Sequence, residues 1–251
     1  MGERLTPKST RSCVLSSRLS TPIRGLLFDK DGTLFDFHLS WSNWIAGLID
    51  TLSDGLDDRR VHIAECLEYD LENRCFFPGA LSIAGTVKEQ AAVLSPALPH
   101  WSTDAIEAYL VRAAADVRMV PAVPLAPLLH EFRTAGLRVG LATNDAESAA
   151  RRHLEGAEII DKFDYIAGYD SGYGAKPDPG MCTGFARTHD LDPAACVMVG
   201  DSAHDLVAGR AAGMATVAVL TGMAGPEELA PLADAVLPDI GSLPSWLSAR
   251  G

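Results

Sequence analysis

Short apolar runs that end in polar turns recur along the chain, and they predict buried strands. The first covers residues 24–28 and leads into a polar turn at residues 29–33. Similar runs follow at 137–142, 165–167, 196–200 and 216–220. Segments with helical periodicity separate these runs, and such alternation is typical of a parallel sheet built from right-handed crossovers. The pattern therefore predicts an α/β protein with a doubly wound parallel sheet.

Residues 36–120 follow a different pattern, in which apolar residues recur with the period of a helix. Three predicted helices are defined by such residues, namely Trp41, Trp44, Ile45, Leu48, Ile49 and Leu52; Val61, Ala64, Leu67 and Leu71; and Ile106, Leu110 and Val117. A capping box at residues 86–89 predicts one more helix, and Thr103 is the predicted N-cap of the last. Because no convincing strand interrupts this stretch, we expect an all-helical insertion.

These patterns divide the chain into three parts. Residues 1–22 carry scattered basic residues without the apolar block of a secretory signal, so we expect a flexible N-terminal extension. Residues 23–35 and 121–251 are the predicted α/β core, and 36–120 the predicted helical insertion. Three prolines, at positions 121, 124 and 127, mark the return to the core. A length of 251 residues fits one large core plus a smaller module.

Composition and charge narrow the class of protein. The chain is 47% hydrophobic and 22% charged, which is ordinary for a soluble globular protein. Its net charge of -12 repels nucleic-acid phosphate, and no apolar run approaches the length of about 18 residues needed for a membrane span. Five cysteines without a Cys-x-x-Cys pair predict reduced thiols in a cytoplasmic protein. We therefore expect neither nucleic acid nor membrane as a partner.

Four polar elements stand at or just beyond the carboxyl ends of predicted strands, where open parallel sheets place their ligands. They are the turn at 29–33, the segment 143–145, Lys176 within 174–177, and the segment 200–205. Each has an ordinary structural explanation by itself: a turn, a helix N-cap or a solvated surface lysine. Their order and placement together indicate a catalytic edge of the sheet.

This order of motifs resembles the haloacid dehalogenase-like hydrolase superfamily, and within it the phosphoglycolate-phosphatase-like group that has a helical cap. The resemblance spans roughly residues 23–245 and implies a Rossmann-like core. It assigns Asp29 as nucleophile and Asp31 as general acid and base. The other assignments are Thr143 and Lys176 as phosphate binders, Asp201 as a Mg²⁺ ligand together with Asp29 and the Asp31 carbonyl, and Asp205 as a metal-site or Lys176-orienting carboxylate. Lys30 departs from the family pattern, since many members carry an apolar residue there.

The chemistry of these residue types agrees with the resemblance. A phosphate monoester carries about two negative charges at neutral pH, so a carboxylate attacks it only where cations neutralise the site. Lys176 and a divalent ion supply that charge, and Mg²⁺ suits hard oxygen ligands. The backbone amides that follow the predicted strand at 137–142, including that of Asn144, form a predicted nest for phosphoryl oxygens.

We therefore expect a Mg²⁺-dependent phosphomonoester hydrolase that acts on a small, phosphoglycolate-like metabolite through an aspartyl-phosphate. Two alternatives stay open: a phosphomutase on sugar phosphates, and a regulatory protein that binds without useful turnover. A dehalogenase is disfavoured because that reaction has no use for Asp31. We expect a monomer or a homodimer.

Four further residues have two interpretations each. Arg74, in a predicted turn of the insertion at residues 73–78, is either a partner for a substrate carboxylate or a surface arginine. Trp41 and Trp44 fit the core of the insertion better than stacking on substrate. His204 fits the rim of the pocket or solvent better than a metal site.

Overall fold

The computed structural model describes residues 21–77, 80 and 85–250, and it contains a six-stranded sheet and a two-stranded hairpin. The strands are β1 (Gly25–Phe28), β2 (Tyr69–Asp70), β3 (Cys75–Phe76), β4 (Arg138–Ala142), β5 (Tyr165–Ala167), β6 (Cys196–Gly200), β7 (Ala215–Val219) and β8 (Ala235–Leu237). The large sheet has the order β5-β4-β1-β6-β7-β8, and all its neighbouring strands are parallel. The predicted doubly wound α/β fold is confirmed. The predicted extension at 1–22 lies outside the described residues except for its last two.

Helices cover both faces of the sheet. They are α1 (Phe37–Ser53), α2 (Asp57–Cys66), α3 (Val87–Leu94), α4 (Thr103–Ala114), α5 (Leu125–Thr134), α6 (Glu147–Gly156), α7 (Gly180–Thr188), α8 (Ala203–Ala211), α9 (Pro226–Leu229) and α10 (Leu243–Ser248). Helices α5, α6 and α10 contribute to the core on one face, and α7 and α8 to the core on the other. Within the described part of the chain, no helix is long and apolar enough to cross a membrane.

The alternation of side chains along β1 explains its fully apolar sequence. Leu26 and Phe28 point into the core beneath α5, whereas Leu27 packs with Phe185 of α7 on the opposite face. All three strand side chains are fully buried. A strand that is covered on both faces needs apolar residues at every position, and the short apolar runs in the sequence reflect that requirement.

Helices α1–α4, residues 37–114, form the helical insertion, which has its own hydrophobic cluster. The predicted capping box is confirmed, because the Thr86 hydroxyl accepts from the Glu89 amide while the Glu89 carboxylate accepts from the Thr86 amide. The prediction of Thr103 as N-cap is wrong. Ser102 caps α4, since its hydroxyl accepts from the Ala105 amide and its backbone is extended.

Three other details of the insertion also differ from the prediction. Strands β2 and β3 pair as a short antiparallel hairpin, although no strand is predicted there. Helix α2 buries Ile63 and Ala64 while Val61 is exposed, so its apolar face is rotated from the predicted one. Val117 lies beyond the end of α4.

The chain enters and leaves the insertion along two segments that pair with each other. Asp36 donates its amide to the Val120 carbonyl at 2.9 Å, and Ala122 donates to the Leu34 carbonyl at 3.0 Å. An antiparallel bridge joins Phe35 to residue 121 between these bonds. The pairing fixes both ends of the insertion beside the carboxyl end of β1.

Candidate active site

The order of the strands brings three predicted polar elements to one point. β1 lies between β4 and β6, so the residues that follow these strands converge at the carboxyl edge of the sheet. Asp29 follows β1, Thr143 follows β4 and Asp201 follows β6. All three are buried, and all line a crevice between this edge and the helical insertion. The topology therefore collects residues that are far apart in sequence.

A glycine turn allows the close approach of Asp201 to the end of β1. Gly32 has a φ of +79°, a left-handed conformation that L side chains rarely adopt. A Cβ atom at this position would lie 2.3 Å from Asp201 Oδ2, so any other residue would displace that carboxylate. The hydroxyl of Thr33 donates to Asp201 Oδ1 at 3.3 Å. Glycine here is thus required by both the backbone and the carboxylate.

Lys176 is the centre of a buried group of charges. Its ammonium donates to Asp29 Oδ1 at 2.5 Å, to Asp205 Oδ1 at 2.6 Å and to the Ala142 carbonyl at 2.8 Å. The other Asp205 oxygen accepts from the amide and hydroxyl of Ser202, which starts α8. Asp205 therefore links the Lys176 ammonium to the start of α8, a contact of the kind expected for a carboxylate that orients Lys176.

The carboxylates of this group outnumber its cation. Asp29, Asp201 and Asp205 each place an oxygen within 4.8 Å of the others, and the buried Lys176 ammonium pairs with Asp29 and Asp205. Burial raises the pKa of Asp29 to about 7, against the lowering effect of Lys176, and the neighbouring carboxylates add to the rise. Burial and Asp29 raise the pKa of Asp201 well above its usual value. Such a set of oxygen donors with excess negative charge suits a hard divalent cation.

Lys30 forms a second buried charged group, which the sequence analysis missed. Its ammonium lies 2.9 Å from a carboxylate oxygen of both Asp31 and Asp145. The same nitrogen lies 2.9 Å from Nδ1 of His153, which is buried on α6. Burial disfavours the Lys30 ammonium, but Asp145 and Asp31 outweigh this effect and raise its pKa. Lys30 is therefore a charged residue held within the core.

Two residues connect this second group to the helical insertion. Trp41 of α1 donates its indole N–H to Asp31 Oδ1 at 2.8 Å. Since the Lys30 ammonium only donates, His153 Nδ1 accepts, and its Nε2 then donates to the Ala114 carbonyl of α4 at 2.9 Å. Burial and Lys30 lower the pKa of His153, which favours this neutral tautomer. The Asp31 carboxylate is thus fixed by a core residue on one oxygen and an insertion residue on the other.

The structure places the remaining predicted residues in three ways. The Asn144 side chain bonds the backbone of Lys176 in both directions, at 2.8 and 2.9 Å, so it positions that lysine. His204 lines the crevice and is half-buried, while Trp41 and Trp44 both line it from the insertion side. Arg74 is exposed at the turn of the hairpin, with a φ of 53°, and the structure does not bring it into the crevice.

Comparison with known families agrees with this architecture. A family described as haloacid dehalogenase-like hydrolase matches residues 23–213. The chain therefore belongs to the haloacid dehalogenase-like hydrolases, as the sequence motifs predict.

Individual relatives match this chain at low sequence identity or over part of its length. The chain is 32% identical over 120 residues to a phosphoglycolate phosphatase from Rhodospirillum rubrum, a match that covers 48% of this chain and 50% of that one. It is 27% identical over 197 residues to a phosphoglycolate phosphatase from Nitrosospira multiformis, covering 76% and 81%. The match thus spans about half the length of the first relative.

A solved HAD family hydrolase from Deinococcus radiodurans, with bound phosphate and sodium, superposes with a TM-score of 0.63 and 22% identity, covering 92% of this chain and 97% of that one. At this identity the likeness concerns the fold alone.

Proposed function

We propose that the protein is a Mg²⁺-dependent phosphomonoester hydrolase that transfers the phosphoryl group of a small substrate first to Asp29 and then to water. The observation that carries this proposal is the pair of carboxylates at the end of β1: the buried Asp29 is bound to Lys176, and the half-buried Asp31 is fixed by Lys30 and Trp41. Two carboxylates in different surroundings suit two different tasks. The relatives named as phosphoglycolate phosphatases support a phosphatase.

In the first step, an oxygen of Asp29 attacks phosphorus, and the bond from phosphorus to the substrate's ester oxygen breaks. Asp31 gives its proton to that leaving oxygen, which departs as an alcohol. In the second step, a water oxygen attacks the phosphorus of the aspartyl-phosphate, and the bond to Asp29 breaks. Asp31 accepts the proton of this water, so inorganic phosphate leaves and both carboxyl groups are restored.

Lys176 supports both steps through charge. Its ammonium neutralises the negative charge that gathers on the transferring phosphoryl group, and burial strengthens this interaction. Asp205 and Asn144 position the lysine from either end, one at the ammonium and one at the backbone. Thr143, buried at the end of β4, is placed to offer its hydroxyl to a phosphoryl oxygen.

Asp29, Asp201 and the Asp31 carbonyl are the groups that would hold Mg²⁺. The buried carboxylates and their raised pKa values fit such an ion. When bound, Mg²⁺ neutralises the phosphoryl oxygens and lowers the repulsion between them and the attacking carboxylate. The chain itself provides the proposed nucleophile, Asp29, and the proposed proton carrier, Asp31.

Residues 36–120 act in this proposal as a cap over the crevice. The contacts of the insertion with the catalytic edge, through Trp41 to Asp31 and through Ala114 to His153, correspond to a closed position that excludes water. Opening would break both contacts together and release the product.

The test is hydrolysis of p-nitrophenyl phosphate by the purified chain, with Mg²⁺ and after chelation, together with acid trapping of an acyl-phosphate. We expect Mg²⁺-dependent turnover and a trapped phosphoenzyme that hydroxylamine cleaves. Asp29→Asn should abolish both, whereas Asp161→Asn, a control at an exposed aspartate that pairs with Lys162, should keep both. Full activity after exhaustive chelation would contradict the metal assignment. Trapped phosphate on Asp29→Asn would contradict the nucleophile.

A further inference from the structure

The helical insertion lines the crevice with side chains of one chemical kind. Six of them are large and apolar, namely Phe37, Trp44, Ile45, Phe76, Val87 and Leu110. The indole of Trp41 adds an aromatic surface, but its N–H is already bonded to Asp31. Gln90 is the one amide side chain among the described residues that the insertion contributes. None of the described lining residues from the insertion carries a charge.

The amino-acid sequence between β3 and α3 is also uncharged. Residues 76–87 contain no charged side chain at all, including those outside the described part of the chain. Arg74 lies on the exposed turn of the hairpin and does not line the crevice. The charges of the insertion are thus kept away from the described lining of the crevice.

The catalytic edge has the opposite character. Asp29, Asp31, Asp145, Asp201 and Asp205 all line the crevice, and two lysines pair with four of them. A second anionic group on the substrate would meet these carboxylates on one side and an apolar wall on the other. Burying a charge without a partner is costly, so such a group binds poorly.

From this distribution we infer that the natural substrate is a phosphate monoester whose alcohol part is apolar and uncharged, which makes a carboxylated phosphoester such as phosphoglycolate a poor substrate. The inference rests on the proposed phosphatase activity and specifies its substrate class. The phosphate would lie at the charged edge, and the hydrocarbon part against the aromatic residues of the insertion. Burial of that part contributes binding free energy in proportion to its area.

The test is a series of substrates whose alcohols have similar reactivity as leaving groups: ethyl, butyl and 2-phenylethyl phosphate, with 4-phosphooxybutanoate as the carboxylated analogue of butyl phosphate. Differences in kcat/KM within this series report on contacts with the crevice. We expect kcat/KM to rise about threefold per methylene from ethyl to butyl phosphate. The carboxylated analogue should be at least about tenfold poorer than butyl phosphate.

Two variants locate the effect. Trp44→Ala should reduce the ratio of kcat/KM for 2-phenylethyl over ethyl phosphate by about tenfold. Trp101→Ala is the matched control, because Trp101 is 40% exposed and packs edge to face on Tyr109. It should leave the ratio unchanged. A third variant tests the charge directly: Gln90→Arg should raise the ratio of kcat/KM for the carboxylated analogue over butyl phosphate about tenfold.

The outcomes separate this inference from the function on which it rests. The chain could hydrolyse p-nitrophenyl phosphate and yet show a kcat/KM for phosphoglycolate or 4-phosphooxybutanoate that equals or exceeds that for butyl phosphate. This result would overturn the substrate class alone. A chain that hydrolyses no phosphate monoester would overturn both. If Trp44→Ala loses its fold by circular dichroism, the response of Gln90→Arg decides, because an unchanged preference in that variant contradicts an apolar site.

Discussion

Where the α/β core borders the crevice, its side chains are polar or charged, with five carboxylates and Lys176 among them, whereas the helical insertion borders the same space mainly with aromatic and aliphatic groups. The charged half lies at the carboxyl edge of the six-stranded sheet. The apolar half belongs to a separate hydrophobic cluster. In the proposed function, the charged half is where phosphorus reacts, and the insertion supplies binding area and excludes water.

The two halves meet at Asp31. One of its oxygens receives the Lys30 ammonium of the charged half, and the other receives the Trp41 indole of the apolar half. Asp31 therefore marks the boundary between the two halves, and substitutions can test the contribution of each side. Each substitution below removes a group from one half or from this boundary, and the expected effects decrease from the first to the last.

Asp31→Asn removes the proposed proton carrier from the boundary while keeping the shape of the side chain. We expect kcat to fall by about 10²- to 10⁴-fold, because a positioned general acid and base typically contributes that much. Hydrolysis of the aspartyl-phosphate should slow as well, so the phosphoenzyme accumulates. Rapid-quench measurement of both half-reactions tests the role. Unchanged rates in both would remove Asp31 from the mechanism.

Lys30→Met removes the fully buried Lys30 ammonium group from the charged half. The change leaves Asp31, Asp145 and His153 without their shared ammonium partner, so we expect the free energy of unfolding to fall by about 3–5 kcal/mol. Lys162→Met, at a surface ion pair with Asp161, should change it by less than about 1 kcal/mol. Urea denaturation of both variants measures the contrast. Similar stabilities would mean that the buried group contributes little.

Without metal, the free energy of unfolding of the protein should fall as the pH rises, because of a carboxylate in the charged half. Because the pKa of Asp29 is raised from 3.8 to about 7 in the fold, the folded state keeps a proton between these values that the unfolded state has lost. The folded state is therefore destabilised progressively from about pH 4 to pH 7, by a few kcal/mol at most. Asp29→Asn should remove this part of the slope, which thermal melts in chelator at pH 5 and 8 reveal. Parallel slopes in both proteins would contradict the raised pKa.

Trp41→Phe tests the contact with Asp31 from the apolar side. Phenylalanine retains the aromatic surface but cannot donate to Asp31, so we expect kcat to fall about threefold to tenfold while KM changes little. Trp44→Phe, which leaves the Asp31 bond in place, should retain kcat. A loss in KM alone for Trp41→Phe would assign the indole to substrate binding and not to the proton carrier.

The sequence predicted the charged half better than its surroundings. Strands β4, β5 and β6 lie within one residue of the predicted runs, because parallel strands covered on both faces carry continuous apolar residues. The Lys30 group was missed because two of its partners, Asp145 and His153, are 115 and 123 positions away, a distance at which local spacing carries no signal. The hairpin was missed because two-residue strands are too short to show alternation.

The paired segments at the ends of the insertion have a structural consequence of their own. Since Asp36 and Val120 are bonded neighbours, the α/β core is continuous across the base of the insertion without any part of it. A short turn between these two residues would close the core, and a different module would fit between the same two anchors. On the proposed function, exchanging the module between these two anchors would change which substrate is selected, while the core residues proposed to carry out the reaction would stay in place.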